Sequence, residues 1–107
     1  MRGSDRLRYR IPNGIEPAGG CLGLKAAEVC WKWDTHKKAI CAWAQIAGIK
    51  SNQTCIGRTT CVGQGFNAGF VKVLWNTCIN MASRTVCVHG KACFEGHCIT
   101  RSTCAQF

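Results

Sequence analysis

Carboxylates are scarce in this chain. Five Asp and Glu stand against fourteen Lys and Arg, a net charge of +9, and beyond Thr35 only Glu95 is acidic. Glycoside hydrolysis, which needs a carboxylate pair, has only Glu28 and Asp34 to draw on, and an acidic residue near lysines is ordinarily a surface ion pair. Long apolar runs are also missing. The longest, Ala39 to Ile49 interrupted by Gln45 and Gly48, is about eleven residues and too short to span a bilayer. No catalytic or cofactor signature occurs. The nearest approach to one is a ribonuclease-like arrangement in which two of His36, His89 and His97 act as acid and base beside a lysine. No apolar signal-peptide core follows Met1, and Met1-Arg2-Gly3-Ser4 resembles an expression-vector leader, so the expectation is that it replaces a removed signal, with a native intracellular start as the alternative.

What the chain does have is cysteine, ten in 107 residues, a usage of extracellular scaffolds that glutathione-rich compartments do not favour. The even count permits five disulfides with no thiol left over. The connectivity stays open among about 945 pairings. Each bridge stabilises by roughly 2–4 kcal/mol, chiefly by restricting the unfolded chain, so reduction is expected to unfold the protein. Zinc is the rival use of Cys21, Cys30, Cys41, Cys55, Cys61, Cys78, Cys87, Cys93, Cys98 and Cys104. Structural zinc sites take paired short knuckles, whereas only Cys93 and Cys98 show such spacing. We therefore expect disulfides, no metal and no cofactor.

Residues 1–20 carry four arginines, both prolines and little that could enter a core. They read as a flexible basic arm or an expression leader, with one disulfide-stapled domain over 21–107. Within that domain ten basic residues face three acidic ones, so the charge belongs to the domain itself. Leu24-Lys25-Ala26-Ala27-Glu28 favours helix, although Val29, Trp31 and Trp33 alternate like a strand. Asp34 or Thr35 can cap a helix over Ala39 to Ala47, ended by a left-handed Gly48. The stretch from Ile49 to Gln64 reads as a loop pinned by Cys55 and Cys61. Phe66, Phe70, Leu74, Cys78 and Ala82 recur every four residues, with Val71, Trp75 and Ile79 alongside, which fits an amphipathic helix. Short β-prone segments after Thr85 read as hairpins. The predicted fold is α+β: helical middle segments, a C-terminal β-hairpin region, and Cys41 and Cys78 placed on helices as candidates for a bridge to each other or to the sheet.

Asn52-Gln53-Thr54 is an N-glycosylation sequon in a predicted loop, consistent with a secretory route. Of the four tryptophans, Trp43 and Trp75 lie in apolar patterns and read as core. Trp31 and Trp33 flank Lys32 and precede Lys37 and Lys38, and a Trp/Lys surface suits membrane interfaces or acidic polymers. Leu74-Trp75-Asn76-Thr77-Cys78 and Gly96-His97-Cys98 resemble stretches of the macin antimicrobial proteins of invertebrates, but the order of cysteines differs and no residue role carries over. The expectation is a secreted, extracellular, monomeric, non-enzymatic protein of toxin or antimicrobial type. Its partner would be an anionic membrane surface or a glycosaminoglycan rather than nucleic acid, bound through Trp31, Lys32, Trp33, Lys37 and Lys38. The alternative is an effector or inhibitor that binds a specific host protein or receptor.

Overall fold

The computed structural model describes residues 19–107, and over them the chain is entirely β. The α+β expectation is thereby corrected. Nine antiparallel strands form two sheets. The first holds β1 (Gly19–Gly23), β2 (Ala27–Asp34) and β3 (Ala39–Ile46), with β4 (Ile49–Lys50) and β5 (Thr54–Ile56) both pairing the free edge of β3. The second is a meander of β6 (Thr60–Ala68), β7 (Val71–Asn80), β8 (Thr85–Phe94) and β9 (His97–Gln106). Apart from Gly19 and Gly20, which open β1, the arm expected over 1–20 lies outside the described residues.

The reason for the error is visible in β7. Val71, Trp75 and Ile79 are four apart, a step that keeps side chains on one face of a strand as well as of a helix. Val73 and Thr77 decide between the two. Both are fully buried while Lys72, Leu74 and Asn76 point out, the period of two that only a strand gives. Over Ala39–Ile46 the helix-favouring alanines are overridden by context: Ile40, Ala42, Ala44 and Ile46 face the core, and Ala39 and Cys41 are buried on the other side. The expected caps exist but serve hairpins. Asp34 Oδ1 accepts the N–H groups of His36 (2.9 Å) and Lys37 (3.0 Å) in the four-residue turn 35–38. Gly48 is left-handed, at φ 82°, as the second residue of the two-residue turn after Ala47 (φ 49°).

The second sheet repeats this plan. Turn 81–84 follows Asn80, whose Oδ1 accepts the Ser83 N–H at 3.1 Å, and it ends on Arg84 at φ 52°, as turn 35–38 ends on Lys38 at φ 50°. Glu95-Gly96 (φ 51° and 78°) matches Ala47-Gly48. All ten cysteines pair, each with the residue directly opposite on the neighbouring strand: Cys21–Cys30, Cys41–Cys55, Cys61–Cys78, Cys87–Cys104 and Cys93–Cys98. The bridge envisaged for helical Cys41 and Cys78 is thus replaced by two local ones. The sheets pack face to face around one core that includes Val29, Trp31, Ile40 and Ile46 from the first and Val73, Trp75, Val86 and Val88 from the second. Gly90 sits within β8. A Cβ there would stand 2.9 Å from Leu24 Cδ1, so its missing side chain admits the first sheet.

Candidate functional site

One end of the sandwich is basic. Lys32 on the outer face of β2 lies opposite Cys41, and Lys37 Nζ stands 3.8 Å from Cys55 Sγ, so the two lysines flank the Cys41–Cys55 bridge. Lys38 closes the turn. Gly57, in the β5–β6 connection, passes the Lys38 backbone, where a Cβ would stand 3.4 Å from the Lys38 carbonyl, and exposed Arg58 follows it in the chain. Among the described residues the acid at this end is Asp34. Its carboxyl is held below the usual range, first by the Lys37 backbone N–H, and it is engaged inside the turn. Cations gathered at one end repel one another, and their field reaches outward over a Debye length.

The tryptophans take other places. Trp31 is 6% exposed and its ring lies over Gly20, inside the core. Trp33 is half-buried, stacked on Phe107 with ring centroids 5.2 Å apart. The Arg84 guanidinium stands 5.0 Å from the Trp33 ring and 4.8 Å from the Phe107 ring, and Arg84 Nε donates to the Phe107 carbonyl at 2.7 Å. The structure therefore brings Lys32, Lys37 and Lys38 together and leaves Trp31 out of their surface. Trp43, read as core, is half-buried on the outer face of the first sheet with Lys50 Nζ 5.6 Å from its ring, whereas Trp75 is core as expected. Among the described residues the exposed aromatics are Phe70 (86%) and Phe94 (43%). They sit at the other end of β7 and β8 from turn 81–84, about 30 Å away along an extended strand. A signal for Phe70 was present in Gly69-Phe70, a two-residue break between alternating segments.

The outer face of the second sheet forms a grid of side chains. One row is Cys61, Cys78, Cys87 and Cys104; the next is Gly63, Asn76, His89 and Ser102; then Gly65, Leu74, Lys91 and Thr100. No carboxylate lies on these rows. A shallow hollow of about 560 Å³ opens there, with Asn76, His89, Lys91 and Thr100 among its lining residues. Histidine pairing for acid–base work is not assembled: His36 is in turn 35–38, and His89 and His97 are separated by five rows of the β8–β9 ladder, about 17 Å of strand. Glu28 and Asp34 lie six residues apart on β2, about 20 Å when extended, beyond the separation glycosidases use. Cys21, Glu28 and Cys30 cluster their donor atoms, but the two sulfurs are bonded to each other and offer no thiolate.

These features define a disulfide-stapled, two-sheet β-sandwich with one basic end. Bridges in this number are typical of extracellular proteins, and among the described residues no helix is long and apolar enough to cross a membrane. No family model, curated protein or solved structure matches the chain.

Proposed function

We propose that this is a secreted, non-enzymatic, cationic protein of host-defence or toxin type that docks by charge on an anionic lipid surface, with Lys32, Lys37, Lys38 and Arg58 making the first contacts. The observation that carries this reading is the placing of Lys32 and Lys37 on either side of the Cys41–Cys55 bridge, with Lys38 in the adjoining turn, Arg58 in the connection that passes it, and the local carboxylate of Asp34 engaged by its own turn. A rigid, bridged end presents the charges without an ordering cost on binding. Trp31 is withdrawn into the core and Trp33 lies under Arg84 and Phe107, so this end holds a surface rather than inserting into it.

Each lysine or arginine near an anionic leaflet contributes about 1 kcal/mol. Exchanging Lys37, Lys38 and Arg58 for glutamate should weaken binding to vesicles containing anionic lipid by more than about a hundredfold. Wild-type binding should fall steeply with salt and vanish on neutral vesicles. Undiminished binding by the triple variant would remove the site, and equal binding to neutral vesicles would remove the mechanism.

A second reading, an effector that engages one protein or receptor, is favoured by Phe70. An aromatic ring this exposed on a hairpin tip is the form of an interface anchor. That partner would be captured at fixed stoichiometry, tolerate salt, and be lost in Phe70→Ala while the triple charge variant retained it.

A further inference from the structure

On the outer face of the second sheet, β6, β7, β8 and β9 each put one cysteine into a single row. Cys61 stands opposite Cys78, Cys78 opposite Cys87, and Cys87 opposite Cys104. The two outer steps are bridged, as Cys61–Cys78 and Cys87–Cys104, and the middle step is not. Opposed residues of antiparallel strands have Cα atoms about 4.5 or 5.5 Å apart, and both separations lie within the span of a disulfide. The existing register therefore admits a Cys78–Cys87 bridge. The three other disulfides have no such neighbour: the next residue along the row is Trp43 for Cys21–Cys30, Lys32 for Cys41–Cys55 and Lys72 for Cys93–Cys98. Exposure is graded along the cysteine row. Cys61 and Cys104, on the two edge strands, are exposed, whereas Cys78 and Cys87 are half-buried.

We infer that this row is a disulfide relay, which takes up a low-molecular-weight thiol at one edge of the sheet and releases a thiolate at the other. Exchange proceeds by attack of a thiolate on a disulfide sulfur, and access helps decide which sulfur is attacked. The incoming thiolate attacks the exposed Cys61 Sγ. A mixed disulfide forms there, and the electron pair of the broken Cys61–Cys78 bond leaves on Cys78. Facing Cys87, the Cys78 thiolate attacks its Sγ, forms Cys78–Cys87 and expels Cys104 as a thiolate. Strands about 4.7–4.9 Å apart set the four side chains in line across the sheet, so attacking, central and leaving sulfurs follow the order that displacement at sulfur requires. Two disulfides and one thiolate are present before and after, and no oxidant or reductant is consumed. The row reads alike from the Cys104 edge. The rows on either side, Asn76, His89 and Ser102 on one and Asn80, Thr85 and Gln106 on the other, hold no carboxylate to oppose a thiolate. The exchange uses none of the lysines of the basic end and stands apart from surface docking.

The test is peptide mapping of the oxidised chain under non-reducing conditions. Reduced glutathione is added in limiting amount to the native protein, and the mixture is quenched with N-ethylmaleimide. The expected product carries a Cys78–Cys87 bridge, with glutathione on one of Cys61 and Cys104 and maleimide on the other, while Cys93 and Cys98 gain no new partner among the protein's cysteines. Cys104→Ser reads the same step without added thiol: it leaves Cys87 unpaired opposite Cys78, and the free thiol should move to Cys61. Cys78→Ser is the control, because its unpaired Cys61 faces no other cysteine and the label should stay there. Amide spectra check that both variants fold, and the glutathione experiment on the unmutated chain depends on neither. The proposal is overturned by glutathione on Cys61 or Cys104 with the row's other bridge intact, by a row that takes up no glutathione, or by maleimide confined to Cys87 in folded Cys104→Ser. Pairings spread over all the cysteines, the mark of unfolding, would overturn it as well.

Discussion

Thr77 offers a perturbation whose expected sign is opposite to that of most core mutations. It lies on the inner face of β7, opposite Val62 on β6 and Val88 on β8, and is fully buried. Its Oγ1 has no hydrogen-bond partner among the described residues. Protein mutational data put the cost of a buried, uncompensated hydroxyl at about 1–3 kcal/mol. Thr77→Val keeps the branched shape and the strand preference and replaces the hydroxyl with a methyl. We expect stabilisation of about 1–2 kcal/mol, an increase in Tm of roughly 4–8 °C for each kcal/mol in a domain of this size. Thr77→Ser is the control. It retains the hydroxyl and removes a methyl, and should destabilise by about 1 kcal/mol.

The assay is guanidinium unfolding under non-reducing conditions, followed by tryptophan fluorescence, with calorimetry as an independent measure. Should Thr77→Val lose more than about 0.5 kcal/mol, its hydroxyl is paired in solution, by bound water or by local rearrangement.

Three further outcomes follow from the same structure. Gly90→Val puts a branched side chain where even a Cβ would approach Leu24 Cδ1 to 2.9 Å; it should destabilise by roughly 1–3 kcal/mol, measurable in the same unfolding experiment. Replacing both Cys41 and Cys55 with alanine opens a loop of sequence separation 14 and should lower stability by about 3 kcal/mol, while also loosening the basic end, visible as faster amide exchange at Lys37 and Lys38. Asp34 should titrate below an ordinary aspartate in a pH series followed by NMR, because the Lys37 and His36 N–H groups favour its charged form. With the folded-state value depressed, its support for turn 35–38 is present above the unfolded-state pKa and is lost as the pH falls through the folded-state one; Asp34→Asn should flatten that response.

The class of scaffold was legible in the ten cysteines, and Asp34 and Gly48 were legible as the ends of one element, read as helix caps, because capping and turn chemistry are local and alike. The types of element were not. A four-residue recurrence such as Val71, Trp75, Ile79 serves helix and strand alike, and the decision lies with the residues between, Val73 and Thr77 against Lys72 and Leu74. In β3 both faces are buried, because Cys41 and its bridge cover the outer side, and a strand buried on two faces shows no alternation to read. Of the proposed surface, Lys37 and Lys38 were recoverable as neighbours in a turn. Arg58 was not, since the connection that carries it passes Lys38 only through the approach of Gly57 to the Lys38 carbonyl, a tertiary event. Trp31 was misplaced for a related reason. Beside Lys32 in the chain it looks like part of a basic surface, but in a strand adjacent residues point to opposite faces, so a lysine exposed at 32 directs Trp31 and Trp33 inward.

The repeated hairpin plan of the two sheets separates scaffold from site. Lys38 and Arg84 end equivalent four-residue turns, both left-handed and both cationic. Arg84 is folded back over Trp33 and Phe107, joining the turn of the second sheet to β2 of the first. Lys38 is exposed, next to Lys37 in the chain. The same local geometry thus places one cation where it clamps the two sheets and another where it faces solvent. Because the clamp holds the two turns at one end, charge reversal at Lys38 should alter surface binding with little effect on stability, whereas Arg84→Met should loosen the Trp33–Phe107 stack. If Lys38→Glu instead proved as destabilising as Arg84→Met, the turn lysine would be part of the scaffold and the basic end would lose its standing as a binding surface.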